Sequence, residues 1–321
     1  MSRALFDARL EAAERAVNED LAALSRREHV DPLVFAAHHR ELATALSLAR
    51  HRRYDQALVA RLNARVVEAH ATLHRAVAGR SLRAGLEALL VEFPRQVRAM
   101  PWMLAAGLLC FVGSYLAVFA WITLDPPSAY AVLPASHLES LTRMYDPAGE
   151  VQSEARTAAD DVAMFGFYVS NNIGIAFRAF GSGIFLGVGS IFVLLFNGVV
   201  IGASHAHVVD AGFADSFHAF VVGHSGFELF AIVLAGVAGL HVGLAVLAPG
   251  QRSRRDALLA RAREVRPILW GCFVMLVVAA AIEAFVSPRD LPLELKLTIG
   301  AVNALALVLF FALSGRRDEA R

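Results

Sequence analysis

From residue 99 onward the chain is a series of long apolar runs broken by short polar segments, whereas before residue 99 apolar residues recur at helical spacing among charges. Each pattern predicts its own kind of helix. In LVFAAHHRELATALSLA and ALVARLNARVVEAHATLHRAV the apolar positions line one face and the charges take the others, as in a helix half in water. Residues 1–98 are therefore expected to form a soluble domain of three or four helices. Asp31 and Pro32 supply an N-cap and a first-turn proline, and Gly79 shortly before Ser81 predicts a break and restart.

Beyond this point the uncharged runs cover residues 99–124, 162–177, 180–209, 217–247, 268–285 and 297–313, with Glu228 and Glu283 as the formal charges within them. A hydrocarbon core of about 30 Å needs roughly 20 residues at about 1.5 Å per residue. The first run, flanked by Trp102 and Trp121, is the clearest span. The run 162–177 is the weakest, being short and interrupted by Ser170, Asn171 and Asn172, so spanning, re-entry and an interfacial course all stay open for it. The pattern predicts an all-α polytopic membrane bundle over residues 99–315, of about six transmembrane helices, preceded by the helical domain 1–98.

Composition agrees with this picture. The 321 residues are 57% hydrophobic and 18% charged, with a mean hydropathy of +0.52, against about 25% charge in soluble globules. Cys110 and Cys272 are too few for a disulfide framework or thiolate metal site, and a formal net charge of +1 gives no reason to expect nucleic-acid binding. The charges are unevenly placed. Residues 1–98 hold 16 Arg against 12 acidic residues, the loop 249–266 and the tail 316–321 are arginine-bearing, and the loop 125–161 has seven acidic and two basic residues. Cytoplasmic loops carry the arginine excess, so both termini and the 249–266 loop are expected in the cytoplasm and the 125–161 loop outside. No signal peptide is expected from MSRALFDARL. The bacterial inner membrane is the predicted location.

Polar groups at membrane depth are functional candidates because each costs about 2.5–3.5 kcal/mol or more when unpartnered. The candidate cluster is Asn171, Asn172, Asn197, His224, Glu228 and Glu283, with His241 and Arg178 as further polar residues in or beside the spans. His224 and Glu228 are four residues apart and so share a helix face, where they can hydrogen-bond, share a proton or supply two metal ligands. Glu283 from another span is expected to meet them, with Asn172 or Asn197 completing the hydrogen bonds. His224, Glu228 and Glu283 form a candidate zinc set, although HSGFE lacks the second histidine of HExxH. Interhelical hydrogen bonding is the plainer reading of the same residues. His205 and His207, toward the outer end of a span beside Asp210, Asp215 and His218, could bind a surface metal, with solvated loop residues as the plainer reading. Arg252, Arg254 and Arg255 are expected to fix topology or touch anionic lipid headgroups.

The segments EFPRQVRAMPW, VSNNIGIAFRAFGSGIFLGVGS, FNGVVIGA, HSGFELFAIVLAGVAGLHVGLAVLAPG, RSRRDALLARA and AAAIEAFVSP, with LARHRRYDQALVARLNARVVEAH before them, resemble the stage II sporulation protein M family in content and order. The resemblance implies a non-enzymatic membrane component of the cell envelope. In spore formers such proteins partner peptidoglycan-degrading proteins. The soluble domain is similar to that of longer versions in bacteria without spores, for which the resemblance implies association with a MoxR-type ATPase system. A homo-oligomeric scaffold without cofactor is thus the expected function. A transporter or lipid-translocating permease and an intramembrane metal-binding hydrolase are the alternatives.

Overall fold

The computed structural model describes residues 3–26, 28, 30–52, 54–149 and 157–316. Glu150, in the loop expected to face outward, and the tail beyond Arg316 lie outside them. Among the described residues every regular element is helical, and the chain divides into two compact units, Met1–Leu86 and Glu87–Arg321.

The first unit is built from α1 (Arg3–Ser25), α2 (Pro32–His51) and α3 (Gln56–Glu87). Its core follows the helical repeat. Phe6, Leu10, Ala13 and Val17 on α1 meet Phe35, Leu42, Leu46 and Ala49 on α2 and Leu62 and Ala69 on α3. Asp31 caps α2 by accepting a hydrogen bond from the Leu33 amide at 2.8 Å, with Pro32 at the first position. Tyr54 donates to Asp7 at 2.9 Å and His38 Nδ1 lies 2.7 Å from Asp20, adding polar ties at the rim. The expected break at Gly79 does not occur: α3 runs through it. A single helical glycine costs only about 1 kcal/mol relative to alanine, which the rest of a 32-residue helix can absorb.

The second unit opens with a π-turn (Ala88–Glu92) and α4 (Phe93–Arg98), followed by α5 (Pro101–Leu124), α6 (Ala135–Tyr145), α7 (Ala158–Gly181), α8 (Val188–Asp210), α9 (Ala214–Leu247), α10 (Arg254–Glu264), α11 (Arg266–Phe285) and α12 (Leu293–Leu313). Residues 87–98 thus pack with this unit. Phe93 lies against Gly271 of α11, and Arg98 donates to the Phe311 carbonyl at 2.7 Å, satisfying an end of α12.

Among the described residues five helices, α5, α8, α9, α11 and α12, are long and apolar enough to cross a membrane. At 24 residues α7 is also long enough, but the Asn171–Asn172 interruption keeps its apolarity lower. It packs against α8, α9 and α11. Burial sorts the spans: 72% of the most apolar window of α9 is buried, against 11% for α5 and 6% for α12, so α9 is the central post. The outer faces of α5 and α12, with Trp102, Leu116, Trp121, Val302 and Leu309, stay bare, as lipid-facing surfaces do.

Small residues allow this packing. Gly198 and Gly202 of α8 lie against the Phe111 and Tyr115 carbonyls of α5, where a π-turn (Leu109–Gly113) leads into Ser114, whose hydroxyl donates to the Leu195 carbonyl at 3.1 Å. The run 180–209 is not one continuous helix. Residues 182–187 form a turn with Leu186 at φ 57° and Gly187 at φ 82°, and it nests on α9 at Gly239 and Gly243.

Candidate functional site

Three separate elements converge on one point beside α6. α9 contributes His224 and, one turn on, Glu228; α11 contributes Glu283 near its end; α7 contributes Asn172. His224 Nε2 lies 3.9 Å from Glu228 Oε2 and 3.9 Å from Glu283 Oε1, and one ligand atom from each of the three residues falls within 4.8 Å of the others. All three side chains are largely buried, His224 to 5% and Glu283 to 9% residual exposure. Carboxylates from two helices thus meet at one imidazole.

The surroundings fix the site from each side. His224 Nδ1 lies 3.1 Å from Ser287 Oγ, just past the end of α11, and Lys296 Nζ donates to the Ser287 carbonyl at 2.9 Å. Asn303 of α12 donates to the Gly223 carbonyl at 2.9 Å, holding that helix beside His224. Asn172, only 2% exposed, interacts with both Glu228 and Glu283, yet its Nδ2 makes no hydrogen bond of ordinary length, nor does Glu283 Oε2. Tyr145 closes the site from α6: its ring packs edge-on to Phe217 at 5.1 Å and Phe220 at 6.2 Å, and Phe220 in turn packs on the His224 ring at 5.7 Å. Burial, reinforced by the nearby negative Glu283, holds the Tyr145 hydroxyl well above the usual phenol range.

Two of the six cluster candidates are not inside this point. Consecutive helix residues are about 100° apart, so Asn171 cannot share the face of Asn172. It is exposed, donating sideways to Asn172 Oδ1 at 3.0 Å. Asn197 donates to the Val193 carbonyl of its own helix at 2.8 Å and does not complete the His–Glu site. Arg252, Arg254 and Arg255 are all exposed, the last two in the first turn of α10 behind the Ser253 cap.

Two polar chains escaped sequence reasoning. His205, expected in a solvated loop, sits on α8 and meets His218 of α9: Tyr115 Oη lies 2.6 Å from His205 Nδ1, and His205 Nε2 lies 3.0 Å from His218 Nε2. The correction follows from helix length, since α8 and α9 leave only a short turn at residues 211–213 between them. His241 Nε2 lies 3.0 Å from Glu264 Oε2 and 2.9 Å from Arg261 Nη1, joining the α9 carboxyl end to α10. The arginine and glutamate stood in a loop read only for its charge.

The profile of a family described as Stage II sporulation protein M matches residues 96–288, more than half of the chain and the whole of the His–Glu site. A second profile, a domain of unknown function (DUF8413), matches residues 8–75 in the first unit. No curated protein and no solved structure matches.

Proposed function

The chain belongs to the Stage II sporulation protein M family, and from that premise we propose that it is a multi-pass scaffold of the bacterial inner membrane, without enzymatic activity of its own, which recruits partners on either side of the bilayer. The division of labour between two compact units carries this reading. One unit is a three-helix body with its own apolar core and a polar outer face. The other is a bundle whose bare apolar rim suits lipid and whose centre is filled by α9. Both termini and the α10 loop face the cytoplasm in this proposal, since the arginines cluster there, and the acidic 125–161 segment faces outward. The helical unit then docks a cytoplasmic partner, such as a MoxR-type ATPase system, while α6 and its neighbours meet envelope proteins. Homo-oligomerisation would use the bare faces of α5 and α12.

Affinity purification from crosslinked native membranes tests the scaffold. The parent and a Glu228→Gln chain should hold the same partners, and a chain lacking residues 1–86 should lose the cytoplasmic ones. A partner set that survives the truncation but collapses with Glu228→Gln would overturn the proposal in favour of a permease. The permease reading rests on the buried His224 and Asn172 with the half-buried Glu228, which could line a path for a charged substrate.

A further inference from the structure

We propose that His224, Glu228 and Glu283 bind one divalent metal ion of the zinc class inside the bundle, with Asn172 and Ser287 orienting the ligands. The inference stands independently of the scaffold reading.

The chemistry of the donor set leads to it. With Nδ1–H donating to Ser287 Oγ, which lies 3.1 Å away, the lone pair of His224 Nε2 faces two carboxylate oxygens at 3.9 Å each. With both carboxyls ionised, three acceptors converge here, in surroundings where like-charged carboxylates repel strongly. A divalent ion neutralises both carboxylates and uses the imidazole lone pair. An imidazole nitrogen with two carboxylate oxygens suits zinc and its first-row neighbours better than calcium or magnesium, which prefer oxygen alone. Ligand distances of about 2.0–2.2 Å place tetrahedral ligands roughly 3.4 Å apart, so the two 3.9 Å edges at His224 must shorten by about half an ångström and the carboxylate–carboxylate edge, within 4.8 Å, by up to about 1.4 Å.

A second observation points to the same place. Asn172 is 2% exposed and interacts with both carboxylates, but its Nδ2 lacks a full hydrogen bond, and so does Glu283 Oε2. Buried polar groups are nearly always satisfied. Pulling Glu228 and Glu283 toward a common ion leaves their second oxygens fixed for the Asn172 amide to grip. Ser287 holds the imidazole tautomer in the manner of an outer-sphere partner. Three protein ligands would leave a fourth coordination position for water or another small ligand.

The test uses the full chain in detergent, purified from zinc-supplemented cells, with metal measured by mass spectrometry and cobalt(II) titrated into chelator-stripped protein. The parent and Asn197→Ala should hold about one zinc per chain and show the intense visible bands of low-coordinate cobalt. Glu283→Gln should lose on the order of tenfold or more in affinity. The cobalt spectrum of the parent requires no substitution, so it decides the matter even if a variant misfolds. A parent with no bound zinc and only the pale spectrum of aqueous cobalt would overturn the proposal. So would equal zinc on the parent and a well-folded Glu283→Gln chain, since that metal would lie elsewhere, as at His205 and His218.

Discussion

Gly243→Val is expected to collapse the bundle's centre, lowering the detergent-solubilised melting temperature sharply or preventing recovery of monodisperse protein. A Cβ at Gly243 would land on the Gly183 carbonyl and the Gly187 amide, which are backbone atoms and cannot rotate aside. The same contact is built from the other side, where a Cβ on Gly183 would strike Gly239. The α7–α8 turn is therefore in backbone contact with α9, and a branched side chain must pry it off. Overpacking of this kind costs about 3 kcal/mol at the upper end of its usual range, and here the moved element carries the α7 helix with Asn172. Gly166→Ala on α7 is the control, because nothing lies within 4 Å of its Cβ and alanine is the better helix former. It should melt at or above the parent. A Gly243→Val protein as stable as the parent would show that this turn does not rest on α9.

The residues that made this centre legible in the sequence were the polar ones in apolar surroundings. A carboxylate at membrane depth demands a partner, and helix geometry puts His224 and Glu228 on one face, so their meeting with Glu283 could be anticipated without coordinates. What could not be anticipated was which of several polar neighbours shared the point. Asn171 and Asn172 have identical chemistry, and only the rotation of α7 separates the exposed one from the buried one. Asn197 had an alternative within its own helix, the Val193 carbonyl, that no spacing argument weighs. Ser287 and Tyr145 were invisible because one lies in a turn and the other in a segment read only for net charge. Six apolar runs were read as spans where five helices among the described residues are long and apolar enough to cross, and the turn at 182–187 was not legible, since its IFLG stretch is as apolar as the helices it joins. Its signal was the glycine spacing, which also fits a helix–helix contact.

Arg289→Ala is the second substitution with a large expected effect, and its logic is an asymmetry of burial. The Arg289 guanidinium pairs with Asp161, and the arginine side chain keeps 45% of its exposure while the aspartate keeps 5%. Removing the arginine takes the cation away from a buried carboxylate, a loss of about 3–5 kcal/mol when such a pair is broken. The lower end is expected here because Asp161 lies in the first turn of α7, where the helix dipole favours negative charge. Removing the aspartate instead, as in Asp161→Asn, leaves a guanidinium that water can reach and should cost about 1 kcal/mol. The pair also positions the site. Asp161 and Asn172 are 11 residues apart, close to three full turns of α7, and Arg289 follows Glu283 by six residues, so the ion pair ties together the two helices that bring Asn172 to Glu283. Melting of the two single variants and the double variant in detergent checks this. The double variant should be clearly more stable than the sum of the single losses, by roughly 1–2 kcal/mol of coupling. Strict additivity would mean that the two side chains do not stabilise each other, and that α7 is held to α11 by packing alone.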